Sequence, residues 1–385
     1  MPAESTRSSP PPPMPGRPGL EGLWLRTLAP GPLRWLCWPA LVLAALLFHA
    51  ARLAKFWIFR ARLFPRTRLR AVTLSVGNLA IGGTGKTPVT RWLARLLTDE
   101  LGVPVAVLCR GYGSRNRLPV RVVSLEGQLA FGAADGGDEA LLLARALPRA
   151  SVLVGKRRAV TGRAAERLGC RAVLLDDGFQ YWRLERDLDL VCFSAAWPLE
   201  AYRPFPLGVL REPLSRLADV RFLVISGADA AEPGHLESLR ALLLRHAPGA
   251  VLLQSRFRLT GLGCPGNQSP DQGLQALEDQ PVLAVSNMAD PRPFWRELER
   301  CGATVAGRIA RPDHHAHRPD EVCEMLRQAR EGGVRAIVAT EKDEQTLAEA
   351  LPPDPGCAVW IARGEASLSG PGLPLLRAEL TRLLS

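Results

Sequence analysis

The chain has 385 residues, 47% hydrophobic and 23% charged, the composition of a globular protein too long for one small core. Of its net charge of +11, +9 sits in the first 70 residues, which hold eleven Lys/Arg against Glu4 and Glu21, so a basic nucleic-acid-binding core is excluded and no nucleic acid partner is expected. The eight cysteines contain no C-x-x-C pair, which argues against a zinc site or a disulfide framework and predicts reduced, buried thiols in a cytosolic protein.

Residues 1–34 are predicted to be a flexible N-terminus, since 1–19 are rich in Pro, Ser and Gly. Trp35 to Ala51 then runs 17 residues without a formal charge, at the short limit for a spanning helix. Trp35, Trp38 and Trp57 suit the lipid headgroup level. Beyond this run, Arg52, Lys55, Arg62 and Arg66 share one helical face, and Leu53, Phe56, Trp57, Leu63 and Phe64 the other. The segment 35–70 is therefore predicted to anchor the chain to a membrane, either spanning it or lying on it, with basic arms on lipid phosphates and rings in the acyl boundary. The positive charge that follows the apolar run puts residues 52–385 in the cytoplasm.

From 71 to 255 the pattern predicts a nucleotide-binding lobe. An apolar strand at Val72–Val76 leads into Gly82-Gly83-Thr84-Gly85-Lys86-Thr87-Pro88, and a helix follows from Val89 to Leu97. Strand, glycine loop and helix form a phosphate cradle in which backbone N–H groups face the phosphates. Lys86 is expected to reach the β- and γ-phosphates and Thr87 to ligate Mg²⁺. Ala80 stands where the strict pattern has glycine, so this is a variant loop. Strands at Val105–Cys109, Val120–Val123, Val152–Val154, Ala172–Leu175, Leu188–Phe193 and Arg221–Ile225 alternate with helices such as Asp138–Ala146 and Arg157–Leu168, the signature of a parallel sheet wrapped by helices. One strand ends in Asp176-Asp177-Gly178, and a carboxylate so placed beside a phosphate loop holds Mg²⁺ or its waters. Arg110-Gly111-Tyr112-Gly113 follows a strand and falls on the ligand edge of such a sheet. Asp138 opens a helix, as an N-cap or as a cleft carboxylate.

Val251–Leu259 reads as a connecting strand, and 256–385 as a second, smaller α/β lobe. Its strands are expected at Val282–Ser286, Thr304–Ile309, Ala336–Thr340 and Ala358–Ala362, and its last helix from about Gly372 to Leu384. Asp313-His314-His315-Ala316-His317 holds half of the six histidines. A general base suits this segment better than a metal site, because a histidine can take a proton from a hydroxyl at cytosolic pH. Thr340-Glu341-Lys342-Asp343 has the residue types of a guanine-reading motif but the wrong spacing, so GTP is not inferred.

Together these residues resemble the tetraacyldisaccharide 4'-kinases, the lipid A 4'-kinases of Gram-negative bacteria. The resemblance rests on Ser75-Val76-Gly77-Asn78-Leu79 with the 82–88 loop, and on Arg110-Gly111-Tyr112-Gly113, Gly137-Asp138-Glu139 and Asp176-Asp177-Gly178-Phe179-Gln180. Leu210-Arg211-Glu212-Pro213, Pro312-Asp313-His314-His315 and Thr340-Glu341-Lys342-Asp343 complete it, in the same order, over roughly residues 71–345. It implies a two-lobed P-loop kinase-like α/β fold with an N-terminal membrane helix. It implies transfer of the ATP γ-phosphate to the 4'-hydroxyl of an anionic tetraacyl glucosamine disaccharide 1-phosphate, with Mg²⁺, at the cytoplasmic face of the inner membrane, and no obligate protein partner. By motif position the catalytic residues are Asp138, His314 and Lys86. Gly82, Gly83, Thr84, Gly85, Lys86 and Thr87 hold the nucleotide, and Thr87 with Asp176 or Asp177 places the metal, with Glu139 a further metal candidate. Tyr181, the stretch Pro204–Val209 and Ser286-Asn287-Met288 depart from the family pattern, which bears on substrate contact. A membrane-anchored nucleotide switch is the alternative, but it gives Asp138 and His314 no task.

Overall fold

The structure, a computed structural model, describes residues 32–61, 63–111, 118–130, 136–266, 272–288, 291–312 and 315–385, and only the backbone of 32–37, 60 and 138. A helix, α1 (Pro32–Arg60), opens the described chain, beginning inside the stretch expected to be flexible and ending ten residues short of 70. Within it Trp38–Phe59 is long and apolar enough to cross a membrane, by length and composition. Leu43, Leu46, Leu47, Trp57 and Ile58 face outward, as do Leu63 and Phe64 just beyond.

Not all of the expected basic arms face outward with them: Arg52 and Lys55 are half-buried, whereas Arg66 is exposed. Arg52 turns to the protein, where its Nη2 donates to Glu212 Oε1 at 2.9 Å and its Nε to the Arg211 carbonyl at 3.0 Å. Phe56 packs edge-on against Trp182 at 5.6 Å, so it too is a protein contact and not a ring free for lipid. The physical reason is Glu212, a buried carboxylate that must be paired to leave water. Arg66 lies past the helix end and donates to the Phe59 carbonyl, and Arg62 lies outside the described residues.

The first part of the chain contains β1 (Val72–Gly77), α2 (Lys86–Arg95), β2 (Val105–Cys109), β3 (Arg121–Leu125), β4 (Gln128–Leu129), α3 (Asp138–Ala146), β5 (Ser151–Val154), α4 (Arg158–Arg167), β6 (Ala172–Asp176), β7 (Leu188–Ser194), β8 (Phe222–Ser226), α5 (Pro233–His246) and β9 (Val251–Gly263). The second contains β10 (Pro281–Ser286), α6 (Arg292–Arg300), β11 (Thr304–Ala310), α7 (Pro319–Glu331), β12 (Ala336–Thr340), α8 (Glu344–Ala350), β13 (Ala358–Ser369) and α9 (Leu373–Leu384).

Among the described residues these strands form one 13-stranded sheet, in the order β11-β10-β12-β13-β9-β8-β7-β1-β6-β2-β5-β3-β4. Pairing is parallel from β9 to β5 and from β11 to β13. The two parallel blocks join through the antiparallel pair β9·β13. Leu74, Val76, Val107, Leu108, Leu174 and Leu175 are fully buried on both faces, because a parallel strand covered by helices on both sides must be apolar throughout. The boundary expected at 255/256 lies within β9. After β13 the chain crosses back, and Leu376 and Leu380 of α9 join the core with Leu74, Val107 and Leu174. Each such leucine contributes roughly 1.5–3 kcal/mol by burial.

Candidate nucleotide and acceptor site

Strand β1 lies centrally, between β6 and β7, and delivers the glycine loop to the sheet's C-terminal edge, where α/β proteins bind ligands. Gly82 and Gly83 form the exposed tip. Thr84 is buried, its hydroxyl accepting from Asn78 Nδ2 at 2.8 Å and its carbonyl from Ser226 Oγ at 3.0 Å. Gly85 caps α2 in the left-handed region at φ 75°, and a Cβ there would meet Ser226 Oγ at 2.5 Å. Glycine is therefore required twice over at this position, for conformation and for space. The helix begins at Lys86, three residues before the expected start, and Pro88 falls within its first turn.

Lys86 Nζ lies 3.6 Å from Asp177 Oδ1, so the loop lysine and the strand-end carboxylate are brought together. Asp177 takes a positive φ of 50° as the chain leaves β6. It also meets Arg211 Nη2 at 3.4 Å, and the same nitrogen donates to Asn78 Oδ1 at 2.6 Å. The turn after it packs tightly on β1, since a Cβ on Gly77 would fall 2.6 Å from Phe179 Cβ.

Asp176 is buried and accepts from Thr90 Oγ1 at 2.8 Å, while Arg158 Nη2 donates to its backbone carbonyl at 3.0 Å. Burial first, and then the nearby Glu139 charge, push its carboxyl up from 3.8 to about 6. The folded protein thus binds this proton more tightly than the unfolded chain. The group favours folding at low pH, and that contribution is lost as pH rises through about 6. Asp176→Asn, neutral throughout, is expected to raise the melting temperature of the nucleotide-free protein more at about pH 8 than at about pH 5. An equal difference at both values would mean that Asp176 does not titrate in that range.

A cavity of about 350 Å³ has Thr87, Glu139, Asn287, His315, Ala316 and Lys342 in its lining. Ion pairs stitch its walls: Arg91 to Glu341 at 2.5 Å, Arg363 to Glu344 at 2.7 Å, and Arg95 to Glu365. Asp343 is fully buried and accepts from Thr340 Oγ1 at 2.5 Å, and His317 Nε2 lies 3.3 Å from its other oxygen. Asn287 Nδ2 donates to the His315 carbonyl at 2.9 Å. The Thr340–Asp343 run therefore builds the wall, with Glu341 tied to the phosphate-loop helix and Asp343 to the histidine segment.

Asp313, His314, Tyr112 and Gly113 lie outside the described residues, and so does the side chain of Asp138. Asp138 is the first residue of α3, and Gly137, at φ 85°, takes the N-cap position. The neighbours Glu139 and His315 line the same cavity. The sequence reading gave no role to Asn78, Thr90, Arg158, Arg211 or Ser226. The signal for Asn78 and Arg211 was their place in two of the quoted motifs.

The donor set suits a magnesium nucleotide. Thr87, Glu139, Asp176 and Asp177 offer hard oxygens near Lys86. Among the described residues no group of three or more His, Cys, Asp or Glu is placed to hold a metal alone. An ion here would complete its shell with phosphate oxygens and water, as Mg²⁺ does.

Comparison with known proteins shows the family. The family model for LpxK, tetraacyldisaccharide-1-P 4'-kinase, matches residues 35–382. The tetraacyldisaccharide 4'-kinase of Anaeromyxobacter dehalogenans (strain 2CP-C) is 41% identical over 363 residues, 94% of each chain. That of Syntrophus aciditrophicus (strain SB) is 38% identical over 294 residues, 74% of this chain and 78% of the relative. The crystal structure of LpxK from Aquifex aeolicus in complex with ATP superposes with a TM-score of 0.69 at 24% identity, over 90% of this chain and 99% of that one, and shares the fold. The chain belongs to the tetraacyldisaccharide-1-P 4'-kinase family.

Proposed function

We propose that this kinase binds Mg·ATP at the Gly82–Thr87 loop. It passes the γ-phosphate to the 4'-hydroxyl of a tetraacyl glucosamine disaccharide 1-phosphate at the cytoplasmic face of a bacterial inner membrane. Family membership supports the reaction, and the cavity lined by both Thr87 and His315 is the observation that carries the site.

Lys86 leaves Asp177 for the β- and γ-phosphates as the nucleotide enters, and Arg211 keeps Asp177 paired. Thr87 and Asp176 or Asp177 would hold Mg²⁺, which would supply charge neutralisation on the phosphate oxygens. The 4'-oxygen attacks the γ-phosphorus as the bond to the ADP oxygen breaks. His314 takes the hydroxyl proton on a ring nitrogen, and Asp138 orients the ring and stabilises its charged form. The acceptor cannot leave the bilayer cheaply, since each buried CH₂ is worth about 0.8 kcal/mol. The outward apolar face of α1 supports the reading that the enzyme goes to the membrane.

The test is stoichiometry. Purified protein with Mg·ATP is expected to release ADP one-for-one with lipid phosphorylated. ADP release that ignores the disaccharide lipid would reject this acceptor and favour a nucleotide switch.

A further inference from the structure

The contacts of Arg52 run on from α1 to the phosphate loop. Arg52 grips the backbone carbonyl of Arg211 and the carboxylate of Glu212. The second Glu212 oxygen takes Arg216 Nε at 3.1 Å, and the Arg216 guanidinium stacks 3.7 Å over Trp182, the ring on which Phe56 packs. The gripped segment is bonded to the end of β1, Arg211 N donating to Leu79 O at 2.7 Å and Ile81 N to Val209 O at 2.8 Å. From there the Arg211 side chain reaches Asn78 and Asp177. Asn78 holds Thr84, and Asp177 lies beside Lys86.

We propose that Arg52 is a positioning residue that couples the membrane helix to the phosphate loop. By fixing Arg211 and Glu212 it sets Asn78 and Asp177, and through them Thr84 and Lys86. This rests on the reading of the Gly82–Thr87 loop as the nucleotide site. The geometry assigns Arg52 a task inside the protein, distinct from that of a basic arm on lipid phosphates. Glu212 is 4% exposed and shared by two guanidinium groups. Removing one cation leaves a buried carboxylate half-paired, and the segment that carries Arg211 shifts to relieve it.

The experiment uses the full chain in detergent micelles and measures the affinity for a non-hydrolysable Mg·ATP analogue by calorimetry. Arg52→Gln is expected to weaken binding about threefold to thirtyfold, the range seen when a coupled network is broken without touching the ligand. Co-sedimentation with vesicles of phosphatidylethanolamine and phosphatidylglycerol is expected to stay unchanged. Glu212→Gln keeps the volume and should weaken binding likewise, and the double variant should be no weaker than the worse single, because both break one clamp. Arg66→Gln, just past the end of α1, is the control and should bind as wild type. Nucleotide affinity at the wild-type level in Arg52→Gln and Glu212→Gln would overturn the proposal, and so would a loss of vesicle binding with nucleotide affinity intact. Absence of lipid product from the wild type would count against the acceptor alone, and the nucleotide affinities would still decide the clamp.

Discussion

Alanine in place of Lys86 is expected to lower kcat/KM for phosphate transfer about a thousandfold, the scale of losing one preorganised charge at a phosphoryl transition state. The argument is electrostatic. The transferring group spreads negative charge over its outer oxygens, and Lys86 is a compact cation at the start of α2, where the helix dipole and free N–H groups add to its effect. Lys86→Arg should restore little, since a planar fork does not replace a point charge in a tight loop. The fold should survive both changes, because Asp177 keeps its contact with Arg211 at 3.4 Å and Thr84 its bonds to Asn78 and Ser226. Initial rates over a range of Mg·ATP concentrations check this, and a rate near wild type would remove Lys86 from phosphate binding.

His314→Ala is expected to cut turnover by about 10²–10⁴-fold, the usual worth of a general base, with nucleotide affinity nearly unchanged. The split follows from the site's layout. The Gly82–Thr87 loop hangs from β1 and α2, and the histidine segment precedes α7, far along the chain. Losing the base should therefore spare the phosphate cradle. Steady-state rates at saturating lipid, alongside nucleotide titration, separate the two, and full turnover in the variant would exclude His314 as the base.

Much of the fold was legible because its strands are short and apolar on both faces. Val105–Cys109 and Ala336–Thr340 have the bounds expected from sequence. The continuity of the sheet was not legible. The second half of β13, Arg363–Ser369, mixes charged and small residues and reads as a loop, but it is a strand because it pairs with Gln254–Gly261 of β9 a hundred residues earlier. Such non-local pairing leaves no local signature. The C-terminal helix likewise shows an apolar face without saying that it returns to the core beside β1.

The glycine loop was legible from its place between strand and helix, since glycines, lysine and threonine follow one another in the chain even though Ala80 breaks the strict spacing. Its supports were not. Asn78 and Arg211 meet across 133 residues, and Thr90 and Asp176 across 86. The periodicity of α1 signalled the helix but not its faces, since Phe56, expected opposite Arg52, turns to the protein with it. Arg52 reads as a lipid-facing charge until Glu212, 160 residues away, turns it inward.

The central claim is tested most directly by locating the transferred phosphate. Wild-type protein is incubated with Mg·ATP and the tetraacyl disaccharide 1-phosphate, and the lipid product is analysed by tandem mass spectrometry and phosphorus NMR. One added phosphate on the 4'-oxygen of the distal glucosamine, absent with Lys86→Ala, is the predicted result. A phosphate at any other position, or ATP consumed with the lipid unchanged, would contradict it.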